Sequence, residues 1–326
     1  MKAAIPFVHI VPAAVFLLAL LTAAGCGSPQ EVAPPLAGAP AAPKEERPPL
    51  FTFGIVYPMA HPFYEEITQL AEKAAEPFSI QLIVKAPEEI NLEQQIRMME
   101  TMIKQRVDAI AIDPIDSRAL VPVINKAVEA GIPVICFEAD SPDSKRLSYI
   151  GTDHFQAGTA MGGVIERLLK GRGMLLVQTG LAGMEIQQAR LEGLLLYLEK
   201  HTDIQVMEVR YHEGSSEQAL ADMEAMIDDH PHFDALVSMD IISGSTSVLV
   251  WKAKGLNRDA VAFGLTPEIK EAVHNGQIAS VISQNEQDWE HLLIEPLLKA
   301  TQKIAVPAFV DTGIQEIKKE KQAVAR

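Results

Sequence analysis

The chain carries only two cysteines, Cys26 and Cys136, in 326 residues. Two cannot staple a fold of this length, so the body must hold together by burial; Cys136, inside an apolar run, reads as core rather than as a nucleophile. Aromatic residues are scarce at 6%, and positive charge is outnumbered, 28 Lys and Arg against 43 Asp and Glu, for a formal net charge of -15. That balance argues against a nucleic-acid partner, which favours a basic surface. Catalytic signatures are missing as well. Ser243-Gly244-Ser245 lacks the spacing of a nucleophile elbow, and Gly171-Arg172-Gly173 precedes a strand where a dinucleotide fingerprint must follow one. His230-Pro231-His232 has no further Cys or His nearby to complete a metal site. The chain therefore reads as a non-enzyme with no cofactor and no metal.

What is present is apolar material, 48% of residues, in a chain long enough for two lobes of ordinary size. The organising stretch is Val107-Asp-Ala-Ile-Ala-Ile-Asp-Pro114, a run of small and β-branched residues that stops at an acid and a proline. This suits a buried parallel strand delivering Asp113 to the carboxyl edge of a sheet, where open α/β sheets bind ligands. Ile132 to Phe137 repeats the pattern and ends in Glu138. Two strand ends thus aim carboxylates at one cleft.

The remainder alternates strand and helix. Phe51 to Tyr57, Ile80 to Val84, Gly173 to Gln178, Ile204 to Tyr211, Asp234 to Met239, Ala260 to Phe263 and Ala279 to Ser283 read as strands. Helices are expected over Pro62 to Ala75, Leu92 to Lys104, Ser117 to Ala130, Gln156 to Lys170, Gln187 to Lys200, Glu217 to Asp228 and Ser243 to Lys254. Pro62 suits a first helical turn, where its missing N–H costs nothing. Asp113, Asp116 and Ser117 all precede a helix and could cap it. Two successive α/β units imply two lobes of like architecture with parallel sheets, the boundary falling near Gly151-Thr152-Asp153.

Residues 1–25 have the order of a targeting segment: Lys2, an apolar run to Leu21, then small residues up to Cys26. Ala23-Ala24-Gly25-Cys26 resembles a bacterial lipobox, which implies cleavage before Cys26 and a lipid on its thiol. Residues 26–49, rich in Ala and Pro with no hydrophobic period, read as a tether.

From Phe53 to Ile317 the chain resembles the ribose-binding type of periplasmic sugar-binding proteins, the solute receptors of ATP-binding-cassette (ABC) importers. The motifs that carry the likeness are F-G-I-V-Y followed by H-P-F-Y, Q-R-V-D-A-I-A-I-D-P-I-D-S, G-I-P-V-I-C-F-E-A-D, Y-I-G-T-D, Q-A-R-L-E-G and A-S-V-I-S-Q. The resemblance implies the type I periplasmic binding protein fold, two Rossmann-like lobes joined by three hinge crossings near Thr152, Gln284 and Gly313. It implies an N-terminal lobe of residues 50–152 plus 285–313 and a C-terminal lobe of 153–284 plus 314–326. Position by position it also implies a ligand site of His61, Phe63, Tyr64, Asp113, Glu138, Arg190, Asp240 and Gln284, the aromatics stacking on a sugar ring and the polar groups taking its hydroxyls.

Three positions depart from that pattern. Ala139 stands at an arginine position, Ala262-Phe263-Gly264 lacks the usual carboxylate, and an aromatic expected near Gly214 is absent. These argue against ribose itself, because unpaired ligand hydroxyls cost affinity. With Asp113, Glu138 and Asp240 against Arg190, a neutral or partly cationic sugar or polyol is the expected ligand. The expected partners are an ABC permease or, alternatively, a membrane histidine kinase or chemoreceptor. The protein is expected to be a monomer, extracytoplasmic and lipid-anchored to the cell membrane.

Overall fold

The computed structural model describes residues 50–319. The targeting segment, Cys26 and the tether lie outside the described residues, as does the chain end from residue 320.

The first sheet is built from β1 (Phe51–Val56), β2 (Ile80–Lys85), β3 (Ala109–Ile112), β4 (Val134–Phe137), β5 (Ser148–Gly151) and β11 (Phe309–Asp311). Its order is β11-β5-β4-β3-β1-β2 and every pairing is parallel. The second sheet uses β6 (Arg172–Thr179), β7 (Asp203–Tyr211), β8 (Ala235–Ser238), β9 (Asp259–Phe263), β10 (Ser280–Ser283) and β12 (Gln315–Lys318), in the order β12-β10-β9-β8-β6-β7. Here β12 alone runs antiparallel, along β10. Parallel strands need crossovers, and the helices supply them. In the first lobe these are α1 (Pro62–Ala75), α2 (Leu92–Gln105) and α3 (Val121–Glu129); in the second they are α4 (His154–Leu169), α5 (Glu185–His201), α6 (Ser216–Asp229), α7 (Ile241–Lys254) and α8 (Pro267–Asn275). The later α9 (Trp289–Thr301) packs its buried Trp289, Leu293, Ile294 and Leu297 back into the first lobe's core.

The strands that read as continuous apolar runs are buried on both faces. Successive residues go to opposite cores: Ala109, Ala111, Ile135 and Phe137 join α1 and α9, while Ile110, Ile112, Val134 and Cys136 join α2 and α3. The second lobe repeats this, with Val177, Val237 and Val261 facing α4 and α5 and Leu176, Leu236 and Ala262 facing α6 to α8. Cys136 is free and wholly buried in this packing, and burial pushes its thiol well above the ordinary range.

The chain passes between sheets three times: after β5, after β10 and between β11 and β12. These passages are tied together where they lie side by side. The Thr312 N–H donates to Gly151 O at 2.9 Å and the Asn285 side-chain amide donates to Thr312 O at 2.7 Å. Asp153 caps α4 immediately after the first passage, accepting from Gln156 N at 3.0 Å. The third helix begins later than its apolar period suggests. Asp116 takes the N–H groups of Arg118 and Ala119 at 2.9 and 2.8 Å, forming a turn ahead of Val121. Among the described residues no helix is long and apolar enough to cross a membrane.

Candidate functional site

The carboxyl ends of β1, β3 and β4 in one lobe face those of β6, β8, β9 and β10 in the other across a cavity of about 60 Å³, counted as space for the centres of water-sized molecules. Phe63, Tyr64, Asp113, Glu138, Arg190, Asp240 and Gln284 all line it. His61 does not. Its Nδ1 accepts the Phe63 N–H at 3.2 Å, making it the N-cap of α1. Much of the wall is aliphatic, including Met59, Ile115, Met184 and Ile186, so polar groups that face the cavity act in a medium of low polarity.

On the first-lobe side Asp113 is fully buried. Tyr64 donates its hydroxyl to Asp113 Oδ2 at 2.8 Å, and Asp113 Oδ1 has no hydrogen-bond partner. Burial first, and then the neighbouring Glu138, push the Asp113 carboxyl well above the ordinary carboxylate range. The loop that carries it is pinned from below by Gln95, whose amide donates to Asp113 O at 2.7 Å and accepts from Ile115 N at 3.2 Å. Phe63 and Tyr64 meet edge to face, centroids 5.1 Å apart and planes at 75°, and Tyr64 leans on Tyr57 at 4.6 Å. They are corners of an aromatic cluster that also includes Trp289, rather than parallel plates.

Glu138 stands between the lobes. Its backbone adopts φ 57°, a left-handed conformation that favours glycine. The surroundings hold it there: its N–H donates to Ile150 O at 2.9 Å, and its carbonyl accepts from the Tyr149 hydroxyl at 2.8 Å and from His154 Nε2 at 3.1 Å. Its side chain takes the Gln284 amide on Oε2 at 2.7 Å, while Oε1 lies 3.7 Å from Arg190, beyond a hydrogen bond. Burial raises this carboxyl to about 7 against the opposing pull of Arg190.

The second-lobe side is saturated by comparison. Arg190, 1% exposed, donates to Met239 O and, at 2.8 Å, to His154 Nδ1, and its guanidinium lies 3.4 Å over the Phe263 ring. Arginine has only protons to give, so His154 accepts at Nδ1 and carries its proton on Nε2 toward Glu138 O. Burial and Arg190 together lower its pKa to about 3. Asp240 caps α7: its Oδ1 accepts from Ile242 N and Ser243 N at 2.9 and 3.0 Å, the Ser243 hydroxyl returns to Asp240 N, and His212 Nε2 sits 3.1 Å from both carboxylate oxygens. Burial alone would raise Asp240; His212 and Ser243 outweigh it and hold the carboxyl below its ordinary range. For the same reason His212 lies above the usual histidine value despite its own burial.

His154, His212 and Gln95 escaped the sequence reading. Each is a polar residue beside an apolar run with no motif of its own, and only the sheet order brings it to the cleft. The position where an aromatic was expected is explained by space. A Cβ on Gly214, at φ 82°, would lie 2.7 Å from Ile90 of the other lobe, so the lobes meet at this rim because the residue is glycine. His230 pairs with Glu208 at 3.1 Å on the second lobe, and no cluster of three or more His, Cys, Asp or Glu able to hold a metal ion occurs among the described residues.

Residues 54–303 match the family described as periplasmic binding protein domain. Among curated relatives, the D-ribose/D-allose-binding protein of Pseudomonas aeruginosa is 26% identical over 218 residues, 65% of this chain and 61% of that protein. The ribose import binding protein of Escherichia coli is 22% identical over 232 residues, 71% of this chain and 77% of its own length. The chain thus spans about three fifths of the first relative and about three quarters of the second. Among solved structures, an ABC transporter solute binding protein from Burkholderia graminis in complex with D-arabinose superposes with a TM-score of 0.78 at 23% identity, covering 85% of this chain and 98% of that one. That likeness shows the fold.

Proposed function

We propose, for a chain that belongs to the periplasmic binding protein family, that it is an extracytoplasmic receptor which closes its two lobes on a sugar or sugar-like polyol and delivers it to an ABC permease. The observation that carries this reading is the set of buried polar atoms without partners at the cavity, Asp113 Oδ1, Gln284 Oε1 and Arg190 Nε. Such groups are costly to bury alone and are the groups a bound ligand satisfies. They come from both lobes and from the passage between them, so a ligand that meets all of them favours the closed arrangement over the open one. Phe63, Tyr64, Asp113, Glu138, Arg190, Asp240 and Gln284 are the residues we assign to the site; His61 serves the helix end. The names of the relatives, which refer to ribose, allose and import, favour delivery over sensing. The chemistry is conformational, with no turnover.

The test is a thermal-shift screen of the full chain against neutral sugars, polyols, amino sugars and sugar acids. A ligand at about a hundredfold over its dissociation constant adds roughly 2.7 kcal/mol of apparent stability, a readable shift. The reading expects a hit that Arg190→Ala and Glu138→Ala abolish. Silence across the panel from a folded protein sinks it. We also propose that Cys26 carries a lipid anchor. Cys26→Ala is then expected to move the protein from the membrane fraction to the soluble one in its host; an unchanged distribution refutes the anchor.

A further inference from the structure

The hydrogen-bond inventory of the cavity is lopsided. Three oxygens that line it make no hydrogen bond: Asp113 Oδ1, Glu138 Oε1 and Gln284 Oε1. Against them stands a single unpartnered donor, Arg190 Nε. The two carboxylates sit at the ends of β3 and β4, neighbouring strands about 5 Å apart in a parallel sheet. The cations of the cleft make their hydrogen bonds elsewhere, Arg190 to Met239 O and His154 while it stacks on Phe263 and stands 3.7 Å from Glu138, and His212 to Asp240. The groups that face the Asp113 carboxyl are Tyr64 from α1, Tyr57 from the end of β1, which shares its hydroxyl with Thr68, and Glu138 with the backbone N–H of Ala139 just past β4. None of these is a cation. Gln95 from α2 meets only the backbone carbonyl.

Resting on the sugar-receptor reading above, we propose that the ligand carries a protonated primary amine, an amino sugar or amino polyol, seated at Asp113, Glu138 and Gln284. An ammonium group brings three donors and one positive charge, which matches three acceptors without a hydrogen bond and two carboxyls that share one nearby cation, Arg190, 3.7 Å from Glu138 and not among the groups that face Asp113. A hydroxyl at the same place brings one donor and no charge, and leaves two acceptors bare. A hydroxyl of the same ligand falls to Arg190 Nε. Burial holds both carboxyls above the ordinary carboxylate range, so seating an ammonium ion beside them is expected to send a proton to solvent.

The experiment is isothermal titration of the full chain, near pH 7, with matched pairs that differ only at the amine: D-glucosamine and D-glucose, D-galactosamine and D-galactose, D-mannosamine and D-mannose, glucamine and sorbitol. In the best-binding pair the amine is expected to bind at least about tenfold tighter, the lower edge for a hydrogen bond between charged partners. Asp113→Asn, nearly isosteric, is expected to erase that gap. In the unmutated protein, titration in buffers of different ionisation enthalpy is expected to show proton release for the amine and none for its neutral partner, a readout that stands even if the variant does not fold. Neutral members binding as tightly as the amines overturn the amine inference and leave the sugar reading standing. A gap that survives Asp113→Asn, or an amine that binds without releasing a proton, overturns it too. No binding by any member of any pair overturns both.

Discussion

The two halves of the cleft are built on opposite plans. In the second lobe the charged groups are largely answered from within: Asp240 by a helix terminus, Ser243 and His212, and Arg190, but for its Nε, by a carbonyl, an imidazole and an aromatic face. In the first, Asp113 has one neutral donor and one bare oxygen. The same residue type, buried to a similar degree, is held below its ordinary pKa in one half and well above it in the other. A half whose groups are mostly paired gains little from a ligand. The unsaturated half is where a ligand has most to contribute, because its groups gain partners only on binding.

The comparison breaks hardest at Arg190. Arg190→Ala leaves Glu138 buried without its nearest cation and strips His154 and Met239 O of their donor, so the ligand-free protein is expected to lose about 3–5 kcal/mol of unfolding free energy. Urea denaturation of the full chain measures this. A loss under about 1 kcal/mol would mean that the second-lobe half is not self-supporting, and the contrast would fall.

The two aspartates sharpen it, because their amides are expected to move stability in opposite directions. Asp240→Asn keeps a capping oxygen and removes the charge, with an expected cost of about 2 kcal/mol. Asp240 is depressed, so its contribution is present above the unfolded value of 3.8 and lost as pH falls through the folded one. His212 is raised, so its contribution is complete below 6.5 and lost as pH rises through its folded value. The cost of Asp240→Asn is therefore expected to be greatest between those two pH values and to shrink on either side. Asp113 is raised. The unfolded chain releases this proton first, so the group makes stability fall as pH rises above 3.8. Asp113→Asn is expected to remove that fall and to leave the ligand-free protein about 1 kcal/mol more stable near neutral pH. Unfolding titrations of both variants near pH 5 and near pH 8 decide the matter, and amide variants that move stability the same way would sink the contrast.

Much of this plan can be read from the residues. The βαβ alternation, the acids at the ends of β3 and β4, and the arginine of α5 follow from strands that are apolar on both faces and stop at a charge. What could not be read is compensation. Nothing near Asp240 in sequence announces His212, which stands just past the end of β7, and nothing near Arg190 announces His154. Helix α9 and the short strands β11 and β12 were also invisible as elements. Phe309–Asp311 is largely exposed at an edge, and Gln315–Lys318 is polar at every position but Ile317; each is a strand only because a sheet edge accepts it. Local propensity proposes a strand end, and the opposing element decides whether the acid there is answered or left bare.

His61 carries the same lesson at its smallest scale. The resemblance makes it a ligand residue, two positions ahead of Phe63 and beside a cleft that needs donors. Its ring instead turns to the chain, with Nδ1 taking the first free N–H of α1, and burial lowers its pKa. A ring nitrogen that accepts this bond has to be unprotonated, which agrees with that direction. His61→Ala is expected to cost only about 0.5–1 kcal/mol, the ordinary loss of a helix cap, and His61→Asn to restore most of it because an amide oxygen can accept the same N–H. If the side chain does no more than end a helix, His61→Asn keeps its stability and also binds ligand as the parent does. Stability restored with ligand affinity still tenfold down would put the imidazole in the site and add a donor to the poorer half of the cleft.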